Sequence, residues 1–367
     1  MKIVYVIGGL YRGGIENWLL NISTCLMRDG YEVAVINVTG KGDLVPLFKD
    51  AGIPVFNVGK VGQPAGTHRL DTALKLRRLF KQLKPDVVQS MHFSANYHAR
   101  VAALGLNFPV ITNLRNVTRE TKTIRRIMNK LLSVRTTLFV SVAKAVAEVV
   151  RLDHNLFGRP SRVIYNGIPE KHFVTEPAKL DEIELSESAP VLVAACRLTR
   201  VKNIDFFLNA FRKVVDSIPD AQFLVMGDGG DRLKLEQLTD SLDLRANVHF
   251  MGMRSDVPAV LKALSSRRSI FVMPSLWEGF PNAALESLAC GVPLVVADTV
   301  PIIEVTEDAA VVLPLEQQMW AEELTRLLQD EKRLNAMREA GLDVANRYRY
   351  SAHVAAWKAV YEELAAN

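Results

Sequence analysis

The sequence has little of what would tie it to a membrane span, a metal or a disulfide scaffold. In 367 residues no apolar run approaches the ~20 residues that cross a bilayer. The apolar stretch 3–10 follows Lys2 directly, is short, and lacks a small-residue cleavage site, so it reads as a first strand and not as a signal peptide. There are only three cysteines, Cys25, Cys196 and Cys290, far apart and in apolar contexts. They match no metal-ligand spacing and suggest no disulfide framework, which makes a reducing cytoplasm the expected location. No Asp-x-Asp occurs, which weighs against a divalent metal; no metal and no cofactor is expected. After Gly8-Gly9 no G-x-G-x-x-G register follows, which argues against a nicotinamide-dependent dehydrogenase. Basic motifs with interleaved aromatics are also missing, so no nucleic-acid partner is expected.

What is present is ordinary for a globular enzyme: 49% hydrophobic and 23% charged residues. The length suggests two to three domains. The net charge of +5 hides an asymmetry. Up to Gly167 there are 24 Lys and Arg against 10 Asp and Glu; from Ile168 onward there are 21 against 30. A basic first half fits an anionic lipid surface or a phosphorylated substrate, and equally a solvated basic surface.

Strand-like runs at 2–8, 31–38, 54–58, 86–91, 109–114, 137–142 and 162–165 alternate with amphipathic segments at 15–29, 68–83, 95–105 and 118–134. That alternation predicts a parallel sheet covered by helices. A polar stretch from Asn166-Gly167-Ile168-Pro169 to about Pro190 lacks periodicity and reads as a linker. The pattern then repeats, with strands at 191–196, 221–227, 248–251, 269–273, 293–297 and 310–313. Helices are predicted over 204–217, 231–242, 256–264, 282–290, a broken 317–349, and 351–366. The fold class is therefore α/β: two doubly wound, Rossmann-like domains facing across a cleft, 1–167 and 168–350.

Chemistry concentrates at predicted strand ends. Glu278-Gly279-Phe280-Pro281-Asn282 follows the strand ending near Ser275 and opens a helix that carries Glu286 one turn on. Carboxylates suit hydroxyls, and free amides at a helix start suit phosphates or sugar oxygens. Gly13-Gly14-Ile15-Glu16 opens the first helix, where paired glycines let a diphosphate approach, or simply make a tight turn. Arg197 and Lys202 follow another strand, as a diphosphate clamp or as solvated bases. Gly227-Asp228-Gly229-Gly230 ends a strand as a ligand approach or a flexible turn. His92 ends strand 86–91 as a polar catalytic group or a structural one, while His98 falls on the next helix. Arg115, Arg119, Lys122, Arg125, Arg126, Lys130 and Arg135 flank an apolar stripe of Ile124, Ile127, Met128, Leu131 and Leu132. The segment 115–135 suits peripheral docking on an anionic membrane, or a stripe facing the core with solvated arginines outside.

Taken in order, Gly13-Gly14-Ile15-Glu16, Asn166-Gly167-Ile168, Arg197 through Asn203, Gly227-Asp228-Gly229, Pro274-Ser275 and Glu278 through Asn282 with Glu286 resemble the retaining glycosyltransferases of family 4, which have the GT-B fold. The resemblance covers nearly the whole chain. It implies that Arg197 and Lys202 hold the donor diphosphate and stabilise the leaving group, and that Gly14 approaches the phosphates. It implies that Glu286 binds the ribose, that Glu278 with the amides of Gly279, Phe280, Pro281 and Asn282 holds the donor sugar, and that Gly252 and Met253 meet the base. The segment 351–367 would cross back to brace the first domain. Two positions depart from the family. Gln89 and Met91 stand where it often carries two histidines, so that His92 comes one residue late and would reach the site if the strand ended with a bulge. Ala143 stands where it often has Ser.

The reading is thus a retaining, metal-independent glycosyltransferase. It moves a sugar from a nucleotide diphosphate, UDP by family frequency, to a lipid-linked glycan in bacterial surface polysaccharide synthesis. The competing reading is a catalytically weak nucleotide-sugar-binding or scaffolding subunit of a glycan-assembly complex.

Overall fold

The structure, a computed structural model, describes residues 1–59, 70–117, 123–180 and 188–366. It divides into two compact units, Met1–Tyr165 with the segment from Ser351 on, and Asn166–Tyr350. Each unit is a parallel sheet covered by helices, which is the doubly wound α/β class expected from the alternating pattern.

The first unit runs β1 (Lys2–Ile7), α1 (Gly14–Arg28), β2 (Glu32–Asn37), α2 (Val45–Asp50), β3 (Val55–Asn57), α3 (Leu70–Leu83), β4 (Val87–Met91), α4 (Phe93–Ala102), β5 (Val110–Leu114), α5 (Thr123–Leu132), β6 (Leu138–Ser141), α6 (Lys144–Asp153) and β7 (Ser161–Val163). Its strand order is β3-β2-β1-β4-β5-β6-β7, all parallel. Ile3 through Ile7 are fully buried, as a strand sandwiched between helix layers must be. Each such Val or Ile side chain contributes about 1.5–3 kcal/mol by leaving water.

The second unit runs α7 (Lys171–Val174), β8 (Val191–Ala195), α8 (Ile204–Ser217), β9 (Gln222–Met226), α9 (Arg232–Ser241), β10 (Val248–Gly252), α10 (Val257–Leu264), β11 (Ser269–Met273), α11 (Asn282–Ala289), β12 (Leu294–Ala297), α12 (Ile303–Thr306), β13 (Ala310–Leu313), α13 (Gln317–Gln329) and α14 (Glu331–Arg347). Its order is β10-β9-β8-β11-β12-β13. The predicted break within 317–349 falls at Asp330, whose carboxylate caps α14 by accepting from the Arg333 amide at 2.9 Å.

The last helix, α15 (Tyr350–Ala366), packs on the first unit from Ser351 onward. Its buried residues His353, Trp357, Val360 and Tyr361 recur at helical spacing. Trp357 lies 5.5 Å from Trp18, ring to ring, and Tyr361 lies edge-on to Tyr5. The Tyr361 hydroxyl donates to Gln89 Oε1 at 2.6 Å, and the Trp18 indole N–H donates to His353 Nε2 at 2.6 Å. Gln89, at a position where the family often has His, is therefore committed to anchoring this helix.

Four helices were not predicted: the short α2 and α12, and α6 and α7. In α6 the buried face is Val146, Val149 and Val150, and so many β-branched residues blur a helical signal. The single turn α7 lies inside the expected linker.

In both sheets the strand order reverses once, between β1 and β4 and between β8 and β11. Loops leaving the carboxyl ends of such strand pairs diverge to opposite faces and open a crevice, the usual place for a ligand in this architecture.

Candidate active site

In the second unit the crevice between β8 and β11 gathers the charged residues. The chain leaves β8 through Cys196 and Arg197, is pinned by buried Leu198, and makes a 3-10 turn at Arg200–Lys202. Asn203 then takes a left-handed conformation, φ +56°, which Asn tolerates better than most residues, and starts α8. Its amide donates to the Pro274 carbonyl at 3.1 Å, and the Leu276 amide donates to the Val201 carbonyl at 2.8 Å. These two bonds lock the β8 loop to the β11 loop. Lys202 Nζ consequently lies 2.5 Å from Glu278 Oε1, and Ser275 Oγ donates to the same oxygen at 2.9 Å. The other carboxylate oxygen of Glu278 has no partner among the described residues. Arg197 stands exposed on the same loop.

Glycines shape the neighbouring loop. Gly227 has φ +132°, and a Cβ there would stand 1.9 Å from the Cys196 carbonyl oxygen; one at Gly229 would stand 2.2 Å from that of Leu198. The close approach that these glycines permit is to the backbone carrying Arg197. The Gly227 amide donates to the Gly252 carbonyl at 2.7 Å. Gly252 ends β10 at φ +65°, and Met253 beside it is 74% exposed. Burial pushes the Cys196 thiol up to about 11, so it is no nucleophile at neutral pH.

Beyond Glu278, Gly279 leads to Phe280 and Pro281, both buried, and Asn282 opens α11. Buried Asn166 holds this loop: its amide donates to Asn282 Oδ1 at 2.7 Å and to the Phe280 carbonyl at 3.4 Å. Glu286, one turn into α11, has its Oε1 3.7 Å from Nε2 of buried His172.

In the first unit the crevice between β1 and β4 brings Gly8, Glu16 and His92 together. His92 Nε2 lies 3.8 Å from Glu16 Oε1, and a Cβ on Gly8 would stand 3.3 Å from His92 Nδ1. No bulge ends the strand. β4 keeps unbroken register with β1 and β5 through Met91, and His92 instead turns the chain with φ +72° and ψ 150°. That conformation is sparsely populated for a residue with a side chain and clusters at functional sites. Burial first, then the Arg115 charge, lowers the His92 imidazole to about 4, so it is neutral at physiological pH. Gly13 is the N-cap of α1, and beside Gly14 nothing stands within 4 Å of where a Cβ would be. His98 is buried in α4 and its Nδ1 bonds the Ser94 carbonyl at 2.8 Å, away from this group. Ala143, in place of the family's Ser, is the buried N-cap of α6.

The apolar stripe of the basic segment does not face the core. Arg119 and Lys122 lie outside the described residues. Arg115 stacks on Trp18, Arg125 on Phe93, and Arg135 donates to the carbonyls of Ala103, Leu106 and Phe108. α5 turns a polar residue inward: Asn129 is buried and bonds fully buried Arg100 through its carbonyl and its Oδ1. Its apolar stripe faces out, with Ile124 63%, Ile127 49% and Leu131 53% exposed beside Arg126. Leu156 and Phe157 are exposed nearby, tied in by the Leu156 amide donating to Ser133 Oγ at 3.1 Å.

Sequence reasoning gave no individual role to Asn166, His172, Asn203 or Ser275. Asn166, Asn203 and Ser275 stand inside recognisable motifs, but their partners lie tens of residues away. His172 carries no local signal.

Comparison with known proteins matches two family models in succession, Glycosyltransferase Family 4 over residues 12–172 and Glycosyl transferases group 1 over residues 176–344. An uncharacterized glycosyltransferase of Methanocaldococcus jannaschii is 25% identical over 260 residues, 62% of this chain and 59% of that protein. The UDP-Gal:alpha-D-GlcNAc-diphosphoundecaprenol alpha-1,3-galactosyltransferase of Escherichia coli is 28% identical over 248 residues, 62% of each chain. The matches thus span about three fifths of these two relatives' length. HepE of Anabaena, solved with UDP, superposes with a TM-score of 0.84 at 19% identity, covering 99% of this chain and 100% of that one. Among the described residues no helix is long and apolar enough to cross a membrane. With family models matching nearly end to end and a shared fold over the full length, the chain belongs to glycosyltransferase family 4 and has the GT-B fold.

Proposed function

We propose that this chain is a retaining, metal-independent transferase. It moves a sugar from a nucleotide diphosphate, UDP foremost, to a lipid-linked glycan acceptor in surface polysaccharide synthesis. The observation that carries the reading is the Lys202–Glu278–Ser275 group at the mouth of the β8–β11 crevice. A cation there meets the charge that grows on a departing diphosphate, and a carboxylate meets sugar hydroxyls. Arg197 and the first amides of α11 add to that charge stabilisation, so a metal is not needed for it. Glu286 takes the ribose hydroxyls, and Gly252 and Met253 the base. Gly13 and Gly14, with open space at Gly14, admit the phosphates to the start of α1. The acceptor hydroxyl attacks from the face the diphosphate leaves, and the departing phosphate takes its proton. His92, neutral at pH 7, then serves as a hydrogen-bonding group in the β1–β4 crevice and not as the obligatory base. The chain acts in the cytoplasm, on the inner face of the membrane.

The test is nucleoside diphosphate release from a panel of UDP-, GDP- and ADP-sugars, in EDTA, with and without a bacterial lipid extract. Release from one donor, stimulated by lipid, is the expected result. Absence of both release and nucleotide binding overturns the reading; binding without release under every condition points to the nucleotide-sugar-binding subunit.

The lipid-linked acceptor is supported by the name of the Escherichia coli relative and by the outward stripe of α5. Ile124, Ile127 and Leu131 beside Arg126 and Lys130 suit the surface of an anionic bilayer. Wild-type protein is expected to co-sediment with vesicles containing phosphatidylglycerol at low salt. Arg126→Glu reverses one exposed charge and weakens that by about 2 kcal/mol, roughly thirtyfold. Failure of the wild type to bind such vesicles removes the membrane role.

A further inference from the structure

We infer that Asn166 and His172 are positioning residues for the donor, Asn166 at the sugar end and His172 at the ribose end. The inference rests on the nucleotide-sugar reading above and assigns two side chains that the reading does not use.

Both belong to the short segment 166–173, which runs along α11 and the loop before it. It touches them at three places. Asn166 bonds Phe280 and Asn282 at the start, His172 Nε2 faces Glu286 in the middle, and the His172 carbonyl accepts from Cys290 Sγ at the far end, 3.6 Å. The segment is itself held on its other side. The Ile168 amide donates to the Tyr348 carbonyl at 2.8 Å, and the Tyr350 amide donates to the Ile168 carbonyl at 2.9 Å. Glu170 pairs with Arg349, whose guanidinium lies 3.9 Å from the centre of the Phe173 ring. It is a strut fixed at both faces, 3–5% exposed at Asn166 and His172.

The chemistry of each contact selects what is left for a ligand. Asn166 donates to Oδ1 of Asn282, so the Asn282 side chain has its acceptor occupied and its NH2 available to a sugar oxygen. The Pro169 carbonyl can only accept, so its 3.2 Å contact with His172 Nδ1 places a proton on that nitrogen and fixes the ring. The ring edge at Nε2, 3.7 Å from Glu286 Oε1, then walls one side of the carboxylate by bulk, without a hydrogen bond. Glu286 Oε2 has no partner among the described residues and is left for the ribose hydroxyls. A carboxylate on an exposed helix face samples several rotamers; one walled by a fixed ring samples fewer, and ligand binding costs less ordering.

The test is calorimetric affinity for UDP and GDP, and for their 2′,3′-dideoxy forms, which offer Glu286 no ribose hydroxyls, together with steady-state turnover of the donor sugar. His172→Ala is expected to weaken the ribonucleotide about fivefold, the worth of freeing one side chain's rotamers at Glu286, and to leave the dideoxy form within twofold of wild type. His172→Gln, which keeps part of the bulk beside Glu286, is expected to recover part of the loss. Asn166→Ala is expected to leave UDP or GDP affinity within about twofold and to lower kcat/KM for the nucleotide sugar about tenfold. Equal losses on ribo and dideoxy nucleotides, or unchanged affinity and turnover, overturn the inference in favour of a purely structural strut. If wild-type protein binds neither diphosphate, the nucleotide-sugar reading falls and takes this inference with it.

Discussion

Lys202→Ala is expected to lower donor turnover by about 10²–10³-fold while the protein stays folded. That factor is the usual loss when one preorganised donor to a developing negative charge is removed. The Lys202–Glu278 pair is mostly buried, its side chains 23% and 14% exposed, so removing the ammonium is expected to cost about 1–3 kcal/mol, less than the stability of the unit. Glu278 keeps its bond from Ser275 in the variant. A thermal scan and a diphosphate-release assay on the same sample separate the two effects. Lys202 is paired with Glu278 in the structure, so on the proposed reading a diphosphate has to compete with that carboxylate for the ammonium. Lys202→Arg keeps the charge but changes compact ammonium geometry to a planar fork, and is expected to recover only part of the rate. Full turnover in Lys202→Ala would contradict the assigned role.

The second large effect is on folding. Gly227→Ala puts a methyl group 1.9 Å from the Cys196 carbonyl oxygen, at φ +132°, where a side chain is strained even in open space. Neither partner is a flexible side chain that can move aside. A loss of about 3–5 kcal/mol is expected, and a fall in the second unit's Tm of about 10 °C or more. Gly230→Ala, three residues on, is the control: nothing stands within 4 Å of its Cβ position, and the expected change is within about 0.5 kcal/mol. Equal stability of the two variants would show that the β8 and β9 loops are not pressed together as described. Because the displaced backbone carries Arg197, residual folded Gly227→Ala is also expected to bind diphosphate poorly.

The contrast between these two residues explains what could be read in advance. The strands were legible because buried parallel strands are continuous apolar runs, and all thirteen fall within one or two residues of their predicted limits. The family was legible because its motifs survive in order. What one position does for another was not. Lys202 and Glu278 are 76 residues apart, and only the fold makes them neighbours. Gly227 read as a ligand approach or a flexible turn, and nothing local announces that it presses on Cys196. α5 is the clearest case. Its period of 3.6 gave an apolar stripe but no direction, and the direction was decided elsewhere, by fully buried Arg100 and its bonds to Asn129. His92 is the converse: the sequence located it, but its positive φ is a property of the β4–α4 junction that no local pattern announces.

The arrangement of α15 sets an order of events during synthesis. The first unit is made of two separated stretches, while the second is one continuous stretch lying between them. When residues 1–165 leave the ribosome, Tyr5 and Trp18 have no Trp357 or Tyr361 to cover them, and Gln89 has no hydroxyl to accept from. The second unit needs nothing beyond Tyr350 and can close first, inverting the usual amino-to-carboxyl sequence of domain folding. Until α15 is translated, the nascent chain carries a folded second unit beside an unfinished first one with bare aromatic surface. That interval is when the protein is most open to chaperones and to aggregation.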